Sequence, residues 1–426
     1  MTIEQLYTVF RQHPSVQTDT RKLQPGDLFF ALKGPSFNGN AFAEKALASG
    51  AAYAVIDEAA YQLNDRCILV DDVLTTLQQL ALHHRKQFNI PFIAITGSNG
   101  KTTTKELVYA VLSSTYKTYT TQGNLNNHIG IPLTLLSVKP DAEIAVIEMG
   151  ANHQKEIESY CKYTLPTHGI ITNCGKAHLE GFGGVEGVRK GKGELYDYLK
   201  ANNGTAFVMW DYDYLQQMSQ GIQTVIKYGT THADIEGTVI KSEPFLEVQL
   251  TKGILIDCIK TQLVGAYNLP NVLVAATVGN YFNIPAAVIK NAVEAYAPSN
   301  SRSQLIEQGT NKIILDAYNA NPSSMRLAIE NLGRMEGKNK IALLGAMAEL
   351  GTESIAEHEG IINLLKEQHF AEVVLVGGDF QKIAHPFTAL ENAAAAQQWL
   401  QAKAPQHAII LIKGSRSMQM EKVLSN

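Results

Sequence analysis

A chain of 426 residues, 45% apolar and 18% charged, has the composition of an ordinary globular protein and the length of about three domains at roughly 150 residues each. Its formal charge of −4 gives no reason to expect a polyanionic partner such as nucleic acid or a membrane surface, so any anion site must be local. No uncharged run reaches the roughly 18 residues that span a bilayer, and MTIEQLYTVFRQHP lacks a basic region followed by an apolar core, so no membrane insertion and a cytoplasmic location are expected.

The pattern along the chain predicts an α/β protein of three units. Residues 1 to about 85 hold short strands and turns, punctuated by glycine and proline in PGDLFFALKGPSFNGN. From about 86 to 297, the apolar runs PFIAIT, EIAVIEMG and HGIITN alternate with helical stretches, the pattern of a parallel sheet. From about 298 to 426, NKIILDAY, KIALLGAM, AEVVLVGG and AIILIKGS repeat that alternation in a second, smaller α/β unit. Cys67, Cys161, Cys174 and Cys258 form no C-x-x-C pair and read as small core residues or spare thiols.

The stretch ITGSNGKTTTKEL follows an apolar, β-branched run ending at Thr96, and Leu107, Val108, Val111 and Leu112 then recur at helical spacing. Its glycines therefore sit in a strand-to-helix turn. Gly97 and Gly100 let backbone N–H groups converge on an anion at the positive end of a helix. Lys101 would reach the terminal phosphates and the Thr102 hydroxyl would hold magnesium, so Gly97, Ser98, Asn99, Gly100, Lys101, Thr102 and Thr103 form a candidate nucleotide loop. The standard G-x-x-x-x-G-K-[ST] loop has glycine where this chain has Ile95; the alternative is a glycine turn with a solvated lysine.

In AVIEMGANH, Glu148 ends an apolar strand, where a carboxylate can face a bound cation or cap the next helix. GKAHLEGFGGVEGVRKGKGELYDYL brings together His178, Lys190 and Lys192, which on their own read as a solvated face. A phosphate loop alone does not separate a kinase, a motor, a switch GTPase and a ligase.

The order of TGSNGKTTT, TQGNLNNHIGIPLTLL, IEMGANH, AHLEGFG, DAYNANPSSM and KGSRSMQME resembles the Mur ligases over essentially the whole chain, and within them the type that joins D-alanyl-D-alanine to UDP-N-acetylmuramoyl-tripeptide. The resemblance implies an ATP-dependent ligase of peptidoglycan precursor synthesis that works through an acyl phosphate, usually as a monomer. It also implies three domains: a small α/β domain binding the UDP end of the substrate, a central P-loop parallel-sheet ATPase domain, and a C-terminal Rossmann-like α/β domain that brings D-alanyl-D-alanine and closes on ATP.

Carried over residue by residue, the resemblance puts Lys101 on the β- and γ-phosphates, magnesium on Thr102 and Glu148, and a second magnesium at His178, whose alternative is an ordinary hydrogen-bonded histidine. Lys192 corresponds to a lysine that carbon dioxide carbamylates in this family, with glycine at 191 replacing the usual alanine and Lys190 as a competing candidate. Carbamylation needs a neutral amine, so the site should lower the pKa of the lysine; the alternative is an unmodified lysine pairing with phosphate or carboxylate.

GAYNLPNVLVAA resembles the segment near adenine, with Asn268 and Asn271 retained and Tyr267, which could still stack on a base, in place of histidine. Arg302, preceded by Ser301 instead of glycine, can grip phosphate. LDAYNANPSSM offers Asp316, Tyr318, Asn319 and Asn321 at a strand end, with plain Asx-turn chemistry as the alternative. Thr20, Arg21, Lys33 and Asn38 correspond to the UDP-sugar segments, with Asn38 standing where aspartate is usual. Asn124, Asn126 and Asn127 suit the peptide part of the substrate, and Lys413, Ser415 and Arg416 the carboxylate of D-alanyl-D-alanine. The rival readings are the Mur-type ligase that adds the third amino acid, folylpolyglutamate synthetase, and a nucleotide-switched binding protein, which needs only the loop and Glu148.

Overall fold

Period-two burial builds the first unit. The structure, a computed structural model, describes residues 1–299 and 301–425, and among these the strands form four sheets. Val16–Gln17, Leu28–Phe30, Tyr53–Ile56 and Cys67–Leu69 lie side by side and parallel. Phe29, Ala54 and Ile56 pack with Ala43, Ala46 and Leu47 of the helix Ala43–Ala48. The alternate residues Leu28, Phe30 and Val55 join a different core, with Leu6, Phe10, Leu77 and Leu80.

The helix Val73–Arg85, opened by Asp72 accepting from the Thr75 N–H at 2.6 Å, leads into the central unit and is anchored there by its last residue. Buried Arg85 donates to the carbonyls of Thr164 and Leu165 at 2.8 Å each and of Phe88 at 2.9 Å, and its guanidinium lies 3.7 Å from the Phe92 ring centroid. Burial lowers its pKa to about 10.

The central sheet runs in the spatial order Ile256–Lys260, Glu247–Lys252, Ile235–Lys241, Thr224–Gly229, Thr205–Met209, His168–Ile171, Phe92–Thr96, Ile144–Glu148, Thr118–Thr120. Its middle strands are buried on both faces, which is why they read as continuous apolar runs. Helices Lys101–Ser113 and Leu269–Tyr281 pack together over one face, and Glu156–Thr164 and Val185–Ala201 pack together over the other. The expected parallel sheet holds from Thr118 to Ile235 but not beyond: the last two strands are antiparallel. Short connections there leave no room for a crossover helix, and burial in these strands alternates, as in a sheet with one wet face.

The third unit is a six-stranded sheet in the order Gln304–Gln308, Asn311–Asp316, Ile409–Lys413, Lys340–Gly345, Glu372–Val376, Thr388–Leu390. It is parallel except for the first strand, a hairpin partner of the second that the alternating pattern did not predict. The four cysteines are free thiols, three of them buried. Among the described residues no helix is long and apolar enough to cross a membrane.

Arg85→Ala strands one buried and two half-buried carbonyls and opens a void beside Phe92, so it should cost about 2–4 kcal/mol in denaturant unfolding. Unfolding midpoints equal to those of the parent chain would show that the anchor contributes nothing.

Candidate nucleotide and ligase site

Two parallel neighbours of one strand create the site. Phe92–Thr96 is flanked by His168–Ile171 and Ile144–Glu148, and a cavity of about 840 Å³ opens where their carboxyl ends meet the third unit. At the end of the middle strand Gly97 has φ +143°, and a Cβ there would lie 2.0 Å from Thr172 Oγ1. The next two amides are taken by the neighbouring strand's extension: Ser98 N–H donates to the Asn173 carbonyl at 2.9 Å and Asn99 N–H to Asn173 Oδ1 at 3.0 Å. Gly100, φ +79°, passes within 2.8 Å of Asn271 Oδ1 at its would-be Cβ, and the helix Lys101–Ser113 starts there without a side-chain cap. Its first N–H groups point at whatever fills the cavity, as an anion site requires.

Lys101 curls over the loop, with Nζ donating to the carbonyls of Gly97 at 2.7 Å and Ser98 at 3.2 Å. Burial lowers its pKa; Glu148 opposes that and Arg302 adds to it. Glu148 is buried, and its Oε1 accepts from Thr102 Oγ1 at 3.2 Å and from Asn126 Nδ2 at 2.8 Å. Its Oε2 is buried with no hydrogen-bond partner. An unpaired carboxylate oxygen beside a hydroxyl at a phosphate loop fits magnesium, which takes one or two protein oxygens and completes its shell with phosphate and water.

Lys192, on the helix Val185–Ala201, lies behind the cavity wall rather than in it, 1% exposed, with Nζ donating to the Ala151 carbonyl at 2.9 Å and 4.8 Å from the Phe182 ring centroid. Burial, reinforced by the charge of Lys101, lowers its pKa to about 7. Lys190 is exposed. The glycine at 191 has a local reason: a Cβ there would meet Phe182 Cε1 at 2.4 Å.

His178 lines the cavity in the left-handed conformation, φ +53°, with Nδ1 2.5 Å from Glu349 Oε2 of the third unit. The Glu349 carboxyl is held below the usual range by that histidine. Glu349 was not picked out from the sequence; its only signal there is an acidic residue just beyond the apolar strand in KIALLGAMAELG.

Asn268 and Asn271 line the cavity and are linked, Asn271 Nδ2 donating to Asn268 Oδ1 at 2.8 Å, while Thr104 Oγ1 donates to Asn271 Oδ1 at 3.0 Å. The rings of Tyr212 and Tyr214 stack at 5.6 Å in the same wall. Tyr267 lines the cavity too, its hydroxyl 3.0 Å from Ser303 Oγ. From the third unit come Arg302, stacked 3.7 Å from the Tyr318 ring centroid; Asp316, paired with buried Lys413 at 2.6 Å; and Asn319, whose carbonyl accepts from Lys413 at 3.1 Å. Asn321 caps the helix Pro322–Arg334 and donates from Nδ2 to Asn99 Oδ1 of the loop at 2.7 Å. The Lys176 N–H donates to Ser323 Oγ at 3.0 Å, so the two units meet at the loop itself.

Other candidates lie apart. Asn127 lines the cavity beside Asn126, but its Oδ1 accepts from the Ile129 and Gly130 N–H groups just before the helix Gly130–Leu136; Asn124 is exposed in a turn. Ser415 is buried, donating to the Ala346 carbonyl at 2.6 Å, and Arg416 pairs with Glu421 at 2.9 Å; neither lines the cavity. Thr20, Arg21, Lys33 and Asn38 belong to the first unit and do not line it either. Arg21 pairs with Asp19 at 2.8 Å, whereas Lys33 bridges Asp57 and Glu58 at 3.0 Å each and Asn38 donates to Glu58.

This combination of phosphate loop, buried lysine and three α/β units defines a nucleotide-dependent ligase of the Mur class, and the comparisons agree. The pattern of the Mur ligase family catalytic domain matches residues 14–85, that of the Mur ligase middle domain 95–279, and that of the Mur ligase glutamate ligase domain 301–416. The chain belongs to the Mur ligase family. It is 34% identical over 430 residues to the UDP-N-acetylmuramoyl-tripeptide–D-alanyl-D-alanine ligase of Bacillus subtilis (strain 168), and 36% identical over 431 residues to that of Escherichia coli (strain K12), in each case over 96% of this chain and 92% of the relative. The crystal structure of MurF from Acinetobacter baumannii superposes with a TM-score of 0.89 at 30% identity, covering 100% of this chain and 98% of that one. The MurF ligase of Thermotoga maritima in complex with ADP gives 0.87 at 26% identity, covering 97% and 96%.

Gly97→Ala forces a side chain into a left-handed turn against Thr172, a strain of about 1–3 kcal/mol. ADP affinity by calorimetry should fall by more than tenfold; undiminished binding would remove the turn from the nucleotide site.

Proposed function

We propose that this chain joins D-alanyl-D-alanine to UDP-N-acetylmuramoyl-tripeptide with ATP, as its relatives are named for doing, releasing ADP and phosphate in peptidoglycan precursor synthesis in the cytoplasm. The observation that carries the reading is the single cavity in which the glycine loop and the third unit meet, with Asn321 on Asn99. The proposed division of labour runs along the three units, 1–85 for the UDP end, 86–297 for ATP and 298–426 for the dipeptide.

A carboxylate is a poor electrophile, so the tripeptide's terminal carboxylate oxygen first takes the γ-phosphoryl of ATP, breaking the bond to ADP. The dipeptide amine then attacks the acyl carbon, loses a proton, and the tetrahedral intermediate expels phosphate. No enzyme nucleophile is needed; the chain's task is to position anions and offset their charge. Lys101 leaves the Gly97 and Ser98 carbonyls for the β- and γ-phosphates, and Arg302 faces the same space. Thr102 and Glu148 are the proposed magnesium ligands, with His178 the candidate for a second ion; bound there, magnesium would offset charge on the transferring phosphoryl group.

Lys192 is the proposed carbamylation site: the ammonium first loses one proton, and the neutral amine nitrogen then adds to the carbon of carbon dioxide and releases a second, so that a cation becomes an anionic carbamate. The site supports this because burial and Lys101 favour the neutral amine near pH 7, and its one hydrogen bond goes to a carbonyl. The UDP-sugar assignments to Thr20, Arg21, Lys33 and Asn38 and the peptide assignments to Asn124, Asn126 and Asn127 are part of the same proposal. Of Lys413, Ser415 and Arg416, only Lys413 borders the cavity, and Asp316 already pairs with it.

The test is phosphate release from ATP and magnesium with each co-substrate omitted in turn. Release should require both, with the pentapeptide product found by mass; release indifferent to both would leave only an ATPase.

Lys192→Ala should lose at least about 99% of activity, the scale of a lost charge-stabilising group, and recover part of it with short carboxylic acids. With limiting bicarbonate, parent activity should rise as pH passes upward through about 7, because the lowered pKa leaves the amine protonated below that point. Full activity of the alanine variant would end the carbamate assignment.

A further inference from the structure

Tyr267 stands where the family's adenine segment carries histidine. Its ring lies over Gly265, where a Cβ would come within 2.4 Å of Tyr267 Cε1. Its hydroxyl is 3.0 Å from Ser303 Oγ, so the bond crosses from the central unit to the third. Ser303 is held from the other side as well: its N–H donates to Asp316 Oδ1 at 3.0 Å, and Asp316 Oδ2 meets Lys413 Nζ at 2.6 Å.

Between Ser301, φ +56°, and Ser303, φ +47°, sits Arg302. Left-handed backbone on both sides of it is costly for residues with side chains and persists only where outside contacts impose it. Two such contacts are the Tyr267 hydroxyl on Ser303 and the Tyr318 ring under the Arg302 guanidinium. Arg302 lines the cavity with the phosphate loop, and its charge is felt at Lys101.

We propose that Tyr267 is a positioning residue, whose hydroxyl on Ser303 sets the left-handed turn that aims Arg302 at the terminal phosphate of bound ATP, rather than a platform for the base. The inference rests on the reading of the cavity as an ATP site. It gives the phenol a role that histidine's shorter ring does not fill in the same way, and it makes one hydrogen bond between units report on the γ-phosphate.

The test is calorimetric binding of ADP and of a non-hydrolysable ATP analogue to the full chain and to Tyr267→Phe, which keeps the ring and deletes the hydroxyl. Affinity for the analogue should fall roughly three- to tenfold, the scale of one hydrogen bond, with ADP binding unchanged. Ser303→Ala should give the same selective loss, and the double variant should lose no more than either single one. The inference is overturned if Tyr267→Phe binds both nucleotides like the parent, if it loses both in proportion, or if the two substitutions add. Should Tyr267→Phe not fold, Ser303→Ala carries the same comparison. A parent chain that binds neither nucleotide would instead overturn the ATP reading itself.

Discussion

Residue 97 has room for a hydrogen and nothing more, and the architecture of the site follows from that. Thr96 and Ile171 are paired across parallel strands, so the residues that follow them, Gly97 and Thr172, leave the sheet side by side. With no side chain between them, Thr172 Oγ1 donates to the Asn99 carbonyl at 2.6 Å and Asn173 takes the next two amides. The turn is thereby fixed to the neighbouring strand before any ligand arrives. Lys101 and Thr102 then fall at a helix start, and Glu148, paired with Ile95 on the opposite neighbour, comes up beside them. A larger residue at 97 would separate groups that the proposed reaction needs at one phosphoryl unit.

Charge is the second organising element. The proposed reaction brings carboxylate and triphosphate together, and the cavity is lined by Lys101 and Arg302 and by Glu148, the proposed cation ligand. Lys192 is the exception, a buried lysine whose amine rests on the Ala151 carbonyl and over the Phe182 ring. Its exception has a logic: burial and the nearby charge of Lys101 both disfavour a second ammonium, which suits the carbamate proposed for Lys192. The third unit adds its groups by reaching across, with Asn321 on the loop and Glu349 on His178. Separate modules thus line one cavity.

Much of this was legible in the sequence. Doubly buried strands had to be apolar throughout, so PFIAIT and EIAVIEMG stood out, and Leu107, Val108, Val111 and Leu112 are all fully buried under the loop's helix. The glycines announced a turn, and the ordered segments announced the family. What was missed depends on contacts far apart in sequence. Glu349 is an ordinary acidic residue until folding sets it against His178. The strands after Ile235 alternate in burial, but their direction is set by the short connections between them. Polar types that suit a ligand also suit turns and helix starts: Asn127 Oδ1 accepts from the Ile129 and Gly130 N–H groups, and Asn321 caps its helix. Ser415 follows a strand, as a ligand residue should, yet its hydroxyl turns inward to the Ala346 carbonyl.

The central claim is that a carboxylate is activated by phosphoryl transfer at the glycine loop. The most direct measurement uses UDP-N-acetylmuramoyl-tripeptide labelled with oxygen-18 in its terminal carboxylate and follows the label through turnover with D-alanyl-D-alanine and ATP. If the carboxylate oxygen attacks the γ-phosphorus and leaves with it, one labelled oxygen appears in each phosphate released. Unlabelled phosphate alongside formed product would show that no acyl phosphate lies on the path, and would contradict the account.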